Sequence, residues 1–300
     1  MTPMEELEFP VFAKINLILE VLGRRPDGYH PIRSVLQTIT LEERLRLVPA
    51  EAFSFHCNIP QLENPQNLVV RAWRAVEALR PLPPMAVTLE KAIPWQSGLG
   101  GGSADAAALI RGLCRLLGWH PGREALLRLG LSLGADLPAA LTGGAVVAEG
   151  IGEQITPLPD GPSLPLAILK PPVSFSTAQM YQRIDRCPPA PQGDLPAMTA
   201  ALQAGDAAGA ARLLCNHFEQ AASPQEPIRL AKAALLAQGA LGAGMTGSGS
   251  AVFGIFAREA EAAAAARSLA QAGWQAWACR TLPRGEQEAR EEAALHFSQR

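Results

Sequence analysis

From Phe9 the chain reads FPVFAKINLILEVLG, in which Val11, Ala13, Ile15, Leu17 and Leu19 fall on one face and Phe12, Lys14, Asn16 and Ile18 on the other. Period-two alternation predicts a β-strand, with a lysine and an asparagine set among apolar neighbours. RRPDGYHPI breaks the pattern, Asp27-Gly28 supplying a site for positive φ, and VLQTITLEERLRLVP resumes it. NLVVRAWRAVEAL has apolar residues at helical spacing and stops at RPLPP, while MAVTLEKAIP predicts a short strand ended by Pro94. A glycine cluster follows and runs into a helix through Leu116 and Leu117, burying Leu109, Leu113, Leu116 and Leu117.

GREALLRLGLSLGADLPAAL predicts a helix broken by Gly134, with Asp136 on a short connector before Pro138. GGAVVAEGIGEQI is a glycine-bounded strand pair, and a new strand, LAILKPP, begins after PLPDGPSLP. That proline-rich passage is the predicted boundary between an amino-terminal unit, 1–157, and a carboxy-terminal unit, 158–300. RCPPAPQGDLPAM is expected to be a mobile loop. GALGAGMTGSGSAVFGIF is a second glycine-rich loop feeding a strand, and REAEAAAAARSLAQAG an alanine-rich helix. Strands alternate with helices throughout, so the fold class is α/β (α+β).

Composition narrows the function. Apolar residues make up 48% and charged residues 18% of 300, the profile of a globular protein with a substantial core. A net charge of −2 argues against a nucleic-acid partner, so an acidic ligand must be met by a local arrangement. The acidic start MTPMEELEF is unlike a secretory signal, and no apolar run approaches the ~18 residues that span a bilayer. Cys57, Cys114, Cys187, Cys215 and Cys279 are widely spread, as reduced thiols of a cytoplasmic protein are. No membrane partner is expected, and nothing specifies an oligomeric state.

The candidate chemistry centres on GLGGGSADAAALI, Gly98 to Ile110. Glycines let successive backbone N–H groups turn towards one centre, and the helix that follows adds its unpaired amides and positive dipole end. Four glycines in five residues are hard to explain as a plain flexible loop, since each costs roughly 0.5–1 kcal/mol of ordering entropy. Ser103 is the expected N-cap. A Walker loop needs a lysine that Ser103-Ala104-Asp105 lacks, and Gly98 and Gly100 lead to Ser103 where a dinucleotide fingerprint has its third glycine.

PWQSGLGGGS resembles the ATP loop of the GHMP kinases, the galactokinase, homoserine, mevalonate and phosphomevalonate kinases and their relatives. AKINLILEVLGRRPDGYH is similar to that family's first motif and GAGMTGSGSAVFGIF to its third. Ala-Lys-x-Asn-Leu followed by Asp-Gly-Tyr-His, with GADLPAALTGGAVVAEGIGE, resembles the branch whose acceptor is a cytidine-diphosphate-linked methylerythritol. The resemblance runs from about Phe12 to Phe256.

It implies a two-domain kinase of the non-mevalonate isoprenoid route, with ATP as phosphoryl donor, Mg²⁺ beside it, and a small-molecule alcohol phosphorylated at its 2-hydroxyl. The ATP loop would comprise Pro94, Trp95, Gln96, Ser97, Gly98, Leu99, Gly100, Gly101, Gly102, Ser103 and Ala104. Phosphoryl transfer needs a hydroxyl held in line, help with its proton and positive charge near the γ-phosphate. Asp136 would accept the proton; Lys14 would pair with it, keep it ionised and stabilise the transferring group. Tyr29 and Tyr181, the chain's two tyrosines, would hold the cytosine ring between them. Packing of Tyr181 on the core is the alternative. His30 would read the base edge and Asn16 position the substrate. No pattern names the metal ligands, the Ser103 hydroxyl being the one candidate. Arg24 and Arg25 flank the Tyr29 turn, as solvated turn residues or diphosphate contacts.

Gln96 and Ser97 stand where relatives carry small residues, tightening the adenosine wall, and His217 stands where the pattern calls for an acid. Two other readings stay open: a sister kinase acting on homoserine or mevalonate, and a nucleotide-binding regulator without turnover.

Overall fold

The computed structural model describes residues 6–222 and 226–297. Residues 1–5, which open the stretch expected not to be a secretory signal, lie outside them. In chain order the strands are β1 (Leu7–Val21), β2 (Ile32–Pro49), β3 (Ser54–Cys57), β4 (Met85–Glu90), β5 (Ala145–Gly150), β6 (Gln154–Pro157), β7 (Pro165–Lys170), β8 (Cys215–Asn216), β9 (Gly242–Met245), β10 (Val252–Ile255) and β11 (Gln275–Arg280). The helices are α1 (Leu68–Glu77), α2 (Gly101–Leu116), α3 (Arg123–Leu133), α4 (Leu137–Thr142), α5 (Thr177–Ile184) and α6 (Leu195–Ala204). Then come α7 (Ala207–Arg212), α8 (Phe218–Ala222), α9 (Glu226–Ala237), α10 (Glu259–Gln271) and α11 (Arg284–Phe297).

Two sheets organise these elements. The first is seven-stranded and built on a long β1–β2 antiparallel pair. β2 takes β5 along Ile32–Gln37 and β4 along Arg44–Pro49, so one long strand serves two short neighbours. β8, from the second half of the chain, adds to β1 in parallel at Ile18 and Leu19. The second sheet is four-stranded and antiparallel, in the order β11-β7-β10-β9. The passage from Pro157 to Pro165 runs between the sheets.

Helices α1 and α2 cover one face of the first sheet, where Val69, Trp73, Val76, Leu109 and Leu113 meet Phe9, Val11, Leu45 and Val87. Leu116 and Leu117, expected to be buried, are only half-buried because α2 ends there. A second core lies between the sheets, joining Ile15, Leu17 and Ile39 to Leu166, Ile168 and Phe253. β1 is therefore buried on both sides, and its two-face alternation does not survive intact. Register shifts between Phe12 and Lys14 and between Asn16 and Ile18 interrupt it. Such bulges re-aim side chains, and they bracket Lys14 and Asn16.

Two further expectations change. RCPPAPQGDLPAM is pinned: His217 Nε2 donates to the Pro191 carbonyl at 3.1 Å, the Gly193 amide donates to the Glu20 carboxylate, and Asp194 caps α6 through the Ala197 amide at 2.9 Å. Ser103 is not the cap of α2. The helix starts at Gly101, and Gly100, at φ 72°, is its N-cap with no side-chain bond.

Candidate active site

A cleft of about 600 Å³ opens where β1, the first turn of α2, the start of α4 and the β9–β10 loop converge. Lys14 reaches it from the bulged stretch of β1. Its ammonium donates to Asn16 Oδ1 at 2.7 Å and the Gly98 carbonyl at 3.0 Å, and lies 3.4 Å from Asp136 Oδ2. Three acceptors fix a flexible side chain that is only 14% exposed. Asp136 stands at the N-cap position of α4 without bonding the helix amides, and its side chain is 45% exposed. Gly134 ends α3 and Pro138 lies in the first turn of α4, so the short connector between two helices turns this carboxylate towards the cleft.

The two glycine loops are packed against each other. Gly98, at φ 82°, lies so near Thr246 that a Cβ would sit 2.1 Å from the Thr246 carbonyl oxygen. A Cβ on Gly100 would sit 2.8 Å from Lys14 Cε. Glycine at these positions is thus set by the positive φ and by what the loop must approach. Asn16 ties the loops together: it accepts from the Gly247 amide at 3.0 Å, donates to Ser34 Oγ at 2.9 Å, and its own amide donates to Thr246 Oγ1 at 3.0 Å. With Asn16 only 4% exposed, its oxygen is largely consumed in orienting Lys14 and the Gly247 loop.

The amides of Gly101, Gly102 and Ser103 belong to the first turn of a sixteen-residue helix and have no carbonyl four residues back to bond. They face the cleft with the positive end of the α2 dipole, an arrangement suited to phosphate. Behind them lies a buried ionic cluster. Lys91 Nζ bonds Glu43 Oε1 at 2.5 Å and Asp105 Oδ2 at 2.9 Å, while Glu43 Oε2 accepts the amides of Ala92 and Ile93. Among the described residues Asp105 Oδ1, which is buried, has no hydrogen-bond partner. Burial pushes the Asp105 carboxyl well above the usual range, opposed by the Lys91 charge and reinforced by Glu43. Burial disfavours the Lys91 ammonium, yet the two carboxylates outweigh it and hold its pKa above the ordinary lysine value.

Also on the cleft, Tyr181 of α5 packs on Phe218 edge to face at 5.0 Å and takes the His30 ring against it at 4.7 Å and 24°. Burial, then the Asp136 charge, push its phenol up to about 12, so it stays neutral. His30 Nε2 lies 2.6 Å from Asp185 Oδ1. Tyr29 stands on the turn, 60% exposed.

The structure thus gathers Lys14, Asn16, Asp136, Tyr181 and most of the glycine loop around one cleft: Pro94, Trp95, Gln96, Ser97, Gly98, Gly100, Gly101, Gly102 and Ser103 line it. Leu99 and Ala104 do not; both side chains are in the core, although the Leu99 carbonyl accepts the Lys14 amide at 2.9 Å. His30 lines an adjoining cavity, and the Tyr29 ring is not in either lining. Arg25 pairs with Asp27 at 2.7 Å and Arg24 with the Gly28 carbonyl at 3.4 Å, both within the turn. His217 is buried as support, accepting the Val21 amide at 3.1 Å. Sequence reasoning missed Leu62, Gln66, Asn67 and Leu68, which line the cleft as Trp95 does, and the Lys91 cluster. Only Asn67, a polar residue just before an apolar helical run, carried a signal, as the N-cap of α1.

The chain matches the models of the GHMP kinases N terminal domain over residues 67–144 and the GHMP kinases C terminal over 198–275. It is 40% identical to a 4-diphosphocytidyl-2-C-methyl-D-erythritol kinase of Symbiobacterium thermophilum, across 92% of this chain and 100% of the relative. It is 38% identical to the kinase of that name from Desulfitobacterium hafniense, across 93% and 97%. The crystal structure of a 4-(cytidine 5'-diphospho)-2C-methyl-D-erythritol kinase superposes with a TM-score of 0.80 at 32% identity, covering 92% of this chain and 99% of that one.

Proposed function

The chain belongs to the GHMP kinase family, with that family's two-domain α/β fold, and we propose that it phosphorylates the 2-hydroxyl of 4-diphosphocytidyl-2-C-methyl-D-erythritol with ATP. The reaction belongs to non-mevalonate isoprenoid synthesis. One observation carries the catalytic part of the reading: Lys14 and Asp136, 3.4 Å apart, share a cleft with the open amide end of α2.

In this reading the amides of Gly101, Gly102 and Ser103 hold the β- and γ-phosphates, and the Leu62–Leu68 wall with Trp95 receives the adenine. The acceptor hydroxyl enters between Asp136 and the γ-phosphate. Asp136 takes its proton as the oxygen attacks the γ-phosphorus and the bond from that phosphorus to the β,γ-bridging oxygen breaks, releasing ADP, while the Lys14 ammonium balances charge on the transferring group. Asn16 serves by orienting Lys14. Tyr181 offers an apolar ring to the cytosine, with Tyr29 closing from the turn and His30 at the base edge. The unit 158–300 supplies α5 and the second glycine loop, and 1–157 the rest of the ATP site.

Among the described residues no cluster of three or more His, Cys, Asp or Glu fits a metal ion. That suits Mg²⁺, which keeps waters and binds through phosphates with one or two protein oxygens; Ser103 Oγ on the cleft is the protein oxygen that would help complete its shell. The ion supplies charge neutralisation on the phosphates. The same described residues contain no helix long and apolar enough to cross a membrane, and the five cysteines are all free, which supports a cytoplasmic enzyme acting on a small molecule.

The test is ADP release across a panel of alcohol acceptors. Turnover is expected with the cytidine-linked alcohol and not with homoserine or mevalonate. Turnover of either of those alone would reassign the substrate, and ATP binding without any turnover would make the protein a regulator.

A further inference from the structure

His30 and Asp185 are 155 positions apart in sequence, yet His30 Nε2 lies 2.6 Å from Asp185 Oδ1. An ionised carboxylate only accepts, so the bond requires the proton on Nε2. In the neutral ring the other nitrogen, Nδ1, then carries a lone pair. Among the described residues Nδ1 has no hydrogen-bond partner. The ring itself is held: its side chain is 8% exposed and one face lies on Tyr181. Tyr181 and Asp185 stand four residues apart, on α5 and at its C-cap, with the Asp185 amide bonded to the Tyr181 carbonyl at 3.2 Å. One helix end therefore orders both the stacking platform and the carboxylate. Beside His30 and Asp185 lies a cavity of about 790 Å³, bordered by Leu22, Arg24 and Ile184, with room for a nucleobase.

We propose that Asp185 is a specificity-determining positioning residue, fixing the His30 tautomer so that Nδ1 meets the pyrimidine as an acceptor and selects an amino-bearing base over an oxo-bearing one. The inference rests on the cytidine-linked substrate proposed above. The 4-amino group of cytosine is a donor, whereas the corresponding oxygen of uracil is an acceptor. An Nδ1 lone pair bonds the first and opposes the second. A site built to bond one polar group rejects the analogue without it far more strongly than an apolar pocket does. The free tautomer choice of an unanchored histidine would read both bases, because either nitrogen can then carry the proton.

The experiment compares kcat/KM for 4-diphosphocytidyl-2-C-methyl-D-erythritol and its uridine counterpart in the parent protein, Asp185→Ala, Asp185→Asn and Asp185→Glu, with ¹⁵N NMR of the His30 ring in each. The parent is expected to hold the proton on Nε2 and to favour the cytidine compound. Asp185→Ala and Asp185→Asn should mix the tautomers and lower the cytidine-to-uridine ratio at least tenfold, mainly through KM for the nucleotide alcohol, with KM for ATP unmoved. Asp185→Glu, which restores a carboxylate, should recover part of the ratio. Equal losses on both substrates with an unchanged ratio and tautomer would overturn the proposal and leave Asp185 a structural residue. A parent protein that turns over neither compound would instead overturn the substrate reading, and this inference with it.

Discussion

Replacing Gly98 with alanine tests whether the two glycine loops function as one packed unit. At φ 82° an alanine incurs about 1–2 kcal/mol of left-handed strain. Its Cβ would lie 2.1 Å from the Thr246 carbonyl oxygen and 3.2 Å from the Gly249 nitrogen. Both obstacles are backbone, so no side-chain rotation relieves them, and the loops must part by roughly 1 Å to restore van der Waals contact. Parting stretches three hydrogen bonds: Ala251 amide to Ser97 carbonyl at 2.8 Å, Lys14 Nζ to Gly98 carbonyl at 3.0 Å and Thr246 Oγ1 to Gly98 carbonyl at 3.3 Å. At about 1 kcal/mol each, with the strain, the expected loss is about 4–5 kcal/mol. Gly102→Ala is the control. Its Cβ would meet only Leu68 Cδ1, at 3.6 Å, and alanine favours a helix over glycine by up to about 1 kcal/mol, so stability should hold or rise. Urea denaturation reads both through the midpoint at a common m-value. Gly98→Ala should also lower kcat, because the carbonyl that orients Lys14 moves. A Gly98→Ala loss below about 1 kcal/mol, or an equal loss from Gly102→Ala, would refute the reasoning.

Three further outcomes are expected. Asp136→Asn should lower kcat by roughly 10²–10⁴ while calorimetry shows ATP binding nearly intact, and parental turnover would remove Asp136 from the mechanism. Lys91→Met should destabilise the protein by about 3–5 kcal/mol, because the Glu43 carboxylate is left buried and uncompensated, whereas Asp105→Asn should cost far less in the same denaturation assay. Because burial raises the Asp105 carboxyl, the folded protein keeps a proton there that the unfolded chain releases above about pH 3.9, so this group's contribution to stability falls as pH rises. The stability of Asp105→Asn relative to the parent should therefore improve between pH 4 and pH 7; a constant difference would place the Asp105 carboxyl at its ordinary value.

Alternation along residues 11–19, helical spacing after Asn67 and the glycine clusters at Gly98 and Gly247 are local patterns, and each element they announce is present. A strand or helix is recorded in a window of ten or so residues because the backbone repeats there, and a turn in the glycine that permits it. Even so, the pattern misjudged what depends on neighbours. The alternation of β1 gave no hint of its two bulges, which follow from long pairing with β2 and burial on both faces. The serine of the loop looked like a cap because serine generally caps helices, but the left-handed Gly100 starts α2 one turn earlier and leaves Ser103 inside.

What the chain determined by itself was its inventory: the elements, the loops that can approach phosphate, and motifs similar enough to a known family to nominate Lys14 and Asp136. Tertiary structure decided the pairings. Lys14 with Asp136, Asn16 with Gly247, Lys91 with Glu43 and His30 with Asp185 join residues 48 to 231 positions apart. No periodicity spans such intervals. A charge takes on meaning only from whatever lies within a few ångströms of it, and that distance is set by how the sheets and helices pack.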